Sequence, residues 1–169
     1  MKLEFGCGPK ITKGYVGVDV RQFKHVKYVC NAWEIDKYVE PQTVEAIYSR
    51  HFFEHLTFAQ ATWTLNAWKT VLQPNGVMEM IVPDMLFHIQ QWMNPDRKTT
   101  MNNNGMTDEE WALAGFWGWQ RETEKQEIWD IHKTGYDYPL LKDTLEKHGF
   151  RNVEQVKSSK KNLHVKAVK

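Results

Sequence analysis

A short apolar run that breaks into a Gly-x-Gly turn within its first eight residues constrains this chain more than anything that follows. In Lys2-Leu3-Glu4-Phe5-Gly6-Cys7-Gly8-Pro9, two residues without a Cβ let main-chain N–H groups approach a ligand that a side chain would hold away. A turn of this kind after a first parallel strand lies at the carboxyl edge of an open α/β sheet, where such sheets bind ligands. A second strand, predicted over residues 14–20, carries Asp19 at its tip. A carboxylate there can accept both hydroxyl hydrogens of a ribose.

The spacing separates this pattern from a dinucleotide site. The dinucleotide fingerprint has a third glycine, a helix whose N-terminus carries the pyrophosphate, and an acidic residue about 20 positions further on. Here Asp19 follows Gly8 by eleven positions, and Pro9-Lys10-Ile11-Thr12-Lys13 is too short for a crossover helix. With no helix dipole to hold a phosphate, the pattern favours a cofactor that has a ribose and no phosphates. S-adenosyl-L-methionine (SAM) is that cofactor. Taken alone, the Gly-x-Gly is as well explained by an ordinary tight turn; Asp19 on the next strand tips the balance to a cofactor site.

At 169 residues the chain is long enough for one core, so a single domain over 1–169 is expected. Its 22 basic and 21 acidic side chains leave a net charge of +1, which gives no general attraction to nucleic acid or to an anionic membrane. There is no apolar run of membrane-spanning length and no signal-peptide pattern, and a cytoplasmic protein is expected. Oligomeric state leaves no trace in the pattern. Cys7 and Cys30 are the only cysteines and lack C-x-x-C spacing, so neither a zinc ribbon nor a disulfide framework is indicated. Cys7 is expected in its turn because it is small.

Further along, strand and helix signals alternate. Residues 26–30 and 44–49 read as strands. Thr57-Phe58-Ala59-Gln60 has capping-box spacing, and Phe58, Ala61, Leu65, Trp68 and Leu72 recur at helical intervals, predicting a helix with one buried face. Gln73-Pro74-Asn75-Gly76 stops it before a strand over 77–82, and Pro83-Asp84 opens a short helix to about Met93. The rhythm then breaks over 94–138. This stretch holds loop chemistry, a second capping box at Thr107-Asp108-Glu109-Glu110, and Trp111, Trp117, Trp119 and Trp129 out of eight tryptophans. It is expected to be an inserted aromatic cap over the site, hinged at 102–105. After it, Pro139 starts a helix with Leu141 and Leu145 on one face and Gly149 as its stop, and residues 150–156 and 163–168 suit a closing antiparallel pair.

Five segments in order, Leu3-Glu4-Phe5-Gly6-Cys7-Gly8, Gly14-Tyr15-Val16-Gly17-Val18-Asp19, Phe53-Glu54-His55-Leu56, Leu72-Gln73-Pro74-Asn75-Gly76 and Val82-Pro83-Asp84, resemble the motifs of class I SAM-dependent methyltransferases. Together with the later His132-Lys133-Thr134-Gly135-Tyr136-Asp137, they look like the small members with a short first crossover. The resemblance implies an α/β fold: a Rossmann-like seven-stranded, mostly parallel sheet of order 3-2-1-4-5-7-6, flanked by helices. It also implies a cofactor set. Glu4 matches the acidic place near the methionine amino group; Gly6, Cys7 and Gly8 match the turn; Asp19 matches the ribose acceptor, with Val20 beside it. Asn31, followed by Ala32, stands where the family commonly has Asp facing the adenine amine, and an amide oxygen can accept that bond too. Ser49, Arg50 and His51 match the segment that meets the methionine end.

Methyl transfer asks the protein to align the reacting atoms, exclude water and sometimes remove a proton. The candidate catalytic bases are His132 and Asp84, although Asp84 equally suits a helix N-cap and His132 a structural role. His51, Glu54 and His55 place two histidines at i and i+4, which would share one face of a helix as a metal pair, but this is not the H-E-x-x-H order, no third ligand is evident and no metal is expected. The tryptophans suit either stacking on a planar or sugar-like acceptor or packing as the cap's own core. The lysines at 157, 160, 161, 166 and 169 are expected on a solvated hairpin with Leu163, Val165 and Ala167 inward. The expected activity is methyl transfer from SAM to a small-molecule or glycan-like acceptor; the alternative is a non-catalytic binding or accessory protein on the same fold.

Overall fold

The computed structural model describes residues 1–122, 125–156 and 160–169. Its strands are β1 (Lys2–Phe5), β2 (Val16–Asp19), β3 (Val26–Val29), β4 (Val44–Arg50), β5 (Leu72–Pro83), β6 (Arg151–Val156) and β7 (Asn162–Val168). They pair in the order β3-β2-β1-β4-β5-β7-β6, as the resemblance implies, with only β7 antiparallel to its neighbours. Strand order reverses between β1 and β4, so the carboxyl ends of β1, β2 and β4 converge on the crevice where open α/β sheets take ligands.

Helix α1 (Phe58–Val71) starts where the capping box predicts. The Thr57 hydroxyl accepts from Gln60 N, and the Gln60 side chain accepts from Thr57 N. Ala61, Leu65 and Trp68 are buried on one face, with the Trp68 ring 4.7 Å from that of Phe5. Phe58, expected on that face, is instead 66 % exposed, because Phe53 and Leu56 just upstream already supply the apolar cover at that end. Asn75 takes φ +61°, the left-handed turn that a Pro-Asn-Gly stop requires. Helix α2 (Met85–Met93) is capped by Asp84, α3 (Asp108–Trp117) by the Thr107–Glu110 box, and α4 (Tyr138–Lys147) by Asp137. Helices α2 and α3 pack closely: a Cβ on Gly115 would stand 2.3 Å from the His88 ring.

The core lies on one face of the sheet. Leu3, Phe5, Val18, Ile47, Met78, Met80 and Val82 meet Leu65, Trp68, Leu141 and Leu145, and Leu163, Val165 and Ala167 join them as the hairpin pattern predicts. The crossovers from β1 to β2 and from β2 to β3 contain no helix. The opposite face carries half-buried Tyr48 and Glu79, with Glu79 bonded to His164 Nε2 at 2.6 Å and paired with Lys166 at 3.2 Å. Of the C-terminal lysines, Lys157 lies outside the described residues, while Lys169 donates to Leu72 O at 2.6 Å. No described helix is long and apolar enough to cross a membrane.

Candidate active site

The glycine turn is built by Asp19. Gly6 and Gly8 take φ of +64° and +56°, and a Cβ on Gly6 would meet the Phe52 ring at 2.6 Å, so the first glycine is required by space as well as by backbone conformation. Gly8 N donates to Asp19 Oδ2 at 2.9 Å, tying the turn to the tip of β2. Arg21 N and Arg21 Nε donate to Asp19 Oδ1 at 2.9 and 3.3 Å. A carboxylate offers about four acceptor positions, so Asp19 fixes the turn and retains capacity for one more donor.

A cavity of about 640 Å³ opens above this turn. Of the sequence-predicted cofactor residues, Gly6, Asp19, Val20, Asn31, Ala32 and His51 line it. Asn31 donates through Nδ2 to Glu34 Oε2 at 2.9 Å, which leaves its amide oxygen as the acceptor. Glu4, Cys7 and Arg50 border a second hollow of about 300 Å³, with Gly6 common to both. Glu4 accepts from Thr12 N at 2.6 Å, holding down the short loop that replaces a crossover helix. Gly8 and Ser49 line neither hollow, and the Ser49 hydroxyl is buried without a hydrogen-bond partner. Burial, reinforced by the charges of Asp19 and Glu4, pushes the Cys7 thiol up to about 11, so it is a neutral filler. Its sulfur occupies the space where a Cβ on Gly17 would stand, 2.9 Å away.

The far wall of the cavity comes from residues a hundred positions downstream, among them Arg121, Ile128, Trp129, Asp130 and Lys133. Arg21 bridges the two walls. Its guanidinium lies 5.6 Å from the Trp129 ring and 5.2 Å from Phe23 while its Nε holds Asp19. Of the four tryptophans in the 94–138 stretch, only Trp129 lines the cavity; Trp111 and Trp119 pack edge to face at 5.9 Å, and Trp117 is 58 % exposed. Arg21, Trp33 and Gln60 also line the cavity without any sequence pattern announcing them.

Neither a protein-family model nor a curated protein sequence matches the chain. Solved structures do. A SAM-dependent methyltransferase from Archaeoglobus fulgidus aligns with TM-score 0.60 at 16 % identity, over 99 % of this chain and 85 % of the other. The 1,6-didemethyltoxoflavin-N1-methyltransferase of Burkholderia thailandensis, solved with 1,6-didemethyltoxoflavin and S-adenosylhomocysteine, aligns with TM-score 0.58 at 14 % identity, over 99 % and 70 %. A SAM-dependent methyltransferase from Methanosarcina mazei gives 0.59 at 11 %, over 99 % and 91 %. The chain has the class I SAM-dependent methyltransferase fold.

On this methyltransferase fold the two candidate bases stand in different surroundings. Asp84 Oδ1 accepts from Leu86 N at 3.0 Å as the cap of α2, and Asp84 is not among the residues lining the cavity. His132 sits just behind the wall formed by Ile131 and Lys133, its side chain 10 % exposed. Burial first of all lowers its pKa, against the opposing pull of Glu54. Its ring is 5.1 Å from that of His55, and its Nε2 is 4.0 Å from Glu54 Oε1. His51 and His55 do not share a helix face: His51 takes φ +49° at the end of β4, ahead of a single 3-10 turn over Phe53–His55. Both histidines turn about Glu54, which the sequence pattern grouped with them without showing its partner. Its neighbourhood depends on a segment 78 positions away, which no local spacing could reveal.

Proposed function

We propose that this chain is a SAM-dependent methyltransferase acting on a small-molecule acceptor. The observation that carries the proposal is the donor and acceptor set on the wall of the 640 Å³ cavity, at the switch point of a class I methyltransferase sheet. Asp19, only 5 % exposed, supplies a fixed carboxylate with one acceptor position left for a ribose hydroxyl, and the Asn31 amide oxygen supplies an acceptor for an exocyclic amine. Val20, an aliphatic side chain left 43 % exposed, supplies an apolar surface for a purine face. The residues present therefore fit the cofactor. When bound, SAM supplies a methyl group on a sulfonium whose departure needs no covalent help from protein.

The chain's own task is then to bind, orient and dry the site. Arg121, Glu122, Ile128, Trp129, Asp130, Ile131 and Lys133 support that task, because they line the cavity from a segment far from the glycine turn in sequence. We assign His132 to the acceptor end of the site, together with His55 and His51, and Asp84 to capping α2. Trp129, on the cavity wall, offers a ring face to a planar acceptor and favours the narrower reading of a glycan-like or heterocyclic substrate. Assignment to the cytoplasm belongs to the same proposal and is supported by two free cysteines. Calorimetry with SAM, S-adenosylhomocysteine and NAD, followed by transfer of a labelled methyl group across a panel of small-molecule and glycan acceptors, tests it. Saturable binding of the first two, no binding of NAD, and label in at least one acceptor are expected. Equal affinity for NAD would overturn the cofactor assignment, and cofactor binding without transfer to any acceptor would favour the accessory-protein alternative.

A further inference from the structure

We infer that Glu54, His55 and His132 form a divalent transition-metal site at the edge of the cofactor cavity, with an open position for an acceptor oxygen. One ligand atom from each residue lies within 4.8 Å of the others. A tetrahedral zinc with bonds near 2.0–2.1 Å holds its ligand atoms roughly 3.3 Å apart. Metal binding would draw them together by side-chain rotation about a backbone already in place.

The hydrogen bonds around the cluster point the same way. His55 Nδ1 is 2.9 Å from Ile131 O, and His132 Nδ1 is 2.9 Å from Gly115 O. A carbonyl oxygen can only accept, so both Nδ1 atoms carry hydrogen and both Nε2 atoms carry the lone pair. This is the tautomer that a metal-ligating histidine adopts, with its other nitrogen donating to a backbone carbonyl. Glu54 is 1 % exposed; His51 Nδ1 meets its Oε1 at 3.3 Å, and its buried Oε2 has no hydrogen-bond partner. A buried carboxylate oxygen without a donor is costly unless a cation meets it. The Glu54 carboxylate is therefore the natural third ligand, its Oε1 already 4.0 Å from His132 Nε2, with His51 orienting it from outside.

The backbone holds the ligands in advance of any ion. Lys133 N and Thr134 N both donate to Glu54 O, at 2.8 and 3.1 Å, and the Thr134 hydroxyl donates to Leu56 O at 3.2 Å. His132 N donates to Trp117 O at 3.2 Å, so the end of α3 fixes His132 from behind. Two imidazoles and one carboxylate suit zinc and its first-row neighbours and leave a coordination position free. His55 and the flanking Ile131 and Lys133 line the cavity, so that position opens to it. A hydroxyl or carboxylate oxygen of the acceptor would take it, a role that rests on the methyltransferase reading, whereas the metal site itself does not.

The test is titration of chelator-stripped full-length protein with Co²⁺ and then Zn²⁺, without cofactor. One equivalent of Co²⁺ should bind with visible d–d absorption of a four- or five-coordinate ion, and Zn²⁺ should displace it. Glu54→Gln and His132→Asn should each weaken Zn²⁺ at least 100-fold, while His164→Ala, on the opposite sheet face, should not change it. If Glu54→Gln does not fold, His55→Ala, at a partly exposed cavity position, carries the same expectation. S-adenosylhomocysteine affinity measured on the same variants should stay within a few fold, which separates this site from the cofactor assignment. Absence of saturable one-equivalent binding in the wild type, or undiminished affinity in the ligand variants, would overturn the site.

Discussion

Asp19 holds together three things that a reader of the sequence would treat separately: the glycine turn, the cation that follows it, and the ribose expected above it. Because Gly8 N and Arg21 depend on its two oxygens, Asp19→Ala would disturb the turn along with the ligand. Asp19→Asn keeps the side-chain shape and one acceptor oxygen, which can hold Gly8 N, but its amide nitrogen then faces the Arg21 donors, so the charge and the Arg21 bonds are lost together. It should weaken SAM by roughly 1 to 3 kcal/mol, the range for a charged hydrogen-bond partner, and lower the melting temperature less than Asp19→Ala does. Undiminished affinity in isothermal calorimetry would remove the ribose role. The place of Asp19 at the tip of β2 was legible because it follows from strand pattern alone. Arg21 and Glu54 were not, because their partners Trp129 and His132 lie more than seventy positions away and are set by tertiary packing.

At the scale of elements, the capping signals carried most of the legibility. Thr57 and Thr107 each start a helix with the reciprocal bonds that their spacing predicts. Thr57→Ala should cost about 1 kcal/mol in urea unfolding, the usual value of a lost cap. What spacing could not give is the buried polar seam between α2 and α3. His88 Nδ1 is 3.1 Å from Gln91 Oε1, and Gln91 Nε2 donates to Asp108 Oδ1 at 3.1 Å. Burial lowers the His88 pKa from 6.5 to about 4, with Lys161, His132 and His51 adding to the shift and the Gln91 bond opposing it. A histidine depressed in the folded state contributes stability that is complete above its unfolded pKa and is lost as pH falls from 6.5 toward 4. At 1.36 kcal/mol per pKa unit this amounts to about 2.5 kcal/mol between pH 7 and 4.5. His88→Gln should lack that component, so its unfolding free energy should fall less than the wild type's over the same interval; parallel curves for the two proteins would discard the assignment.

Across the whole molecule, the sheet is covered on the face where α1 and α4 pack and left polar on the other, in keeping with crossovers from β1 to β3 that contain no helix. Strand order was legible because the resemblance fixes it, whereas the shape of the site was not. One cavity wall comes from residues 5–33 and the opposite wall from Arg121, Glu122, residues 128–131 and Lys133, and the Arg21 side chain reaches between them, from Asp19 to Trp129. If this second wall serves as the cap over the methyl group, ligand at Asp19 must be felt in it. Hydrogen exchange of amides in 118–133 should slow several-fold on adding S-adenosylhomocysteine, while the hairpin of β6 and β7, on the far edge of the sheet, should be unaffected. Arg21→Ala should cut the link, leaving cofactor affinity within a few fold and abolishing the protection of 118–133. Trp129→Ala, which removes an aromatic surface from the same wall, should raise the acceptor KM more than the cofactor Kd. Exchange in 118–133 that is indifferent to cofactor would make this wall a bystander, and acceptor selectivity would then have to come from the His51–Leu56 side of the cavity.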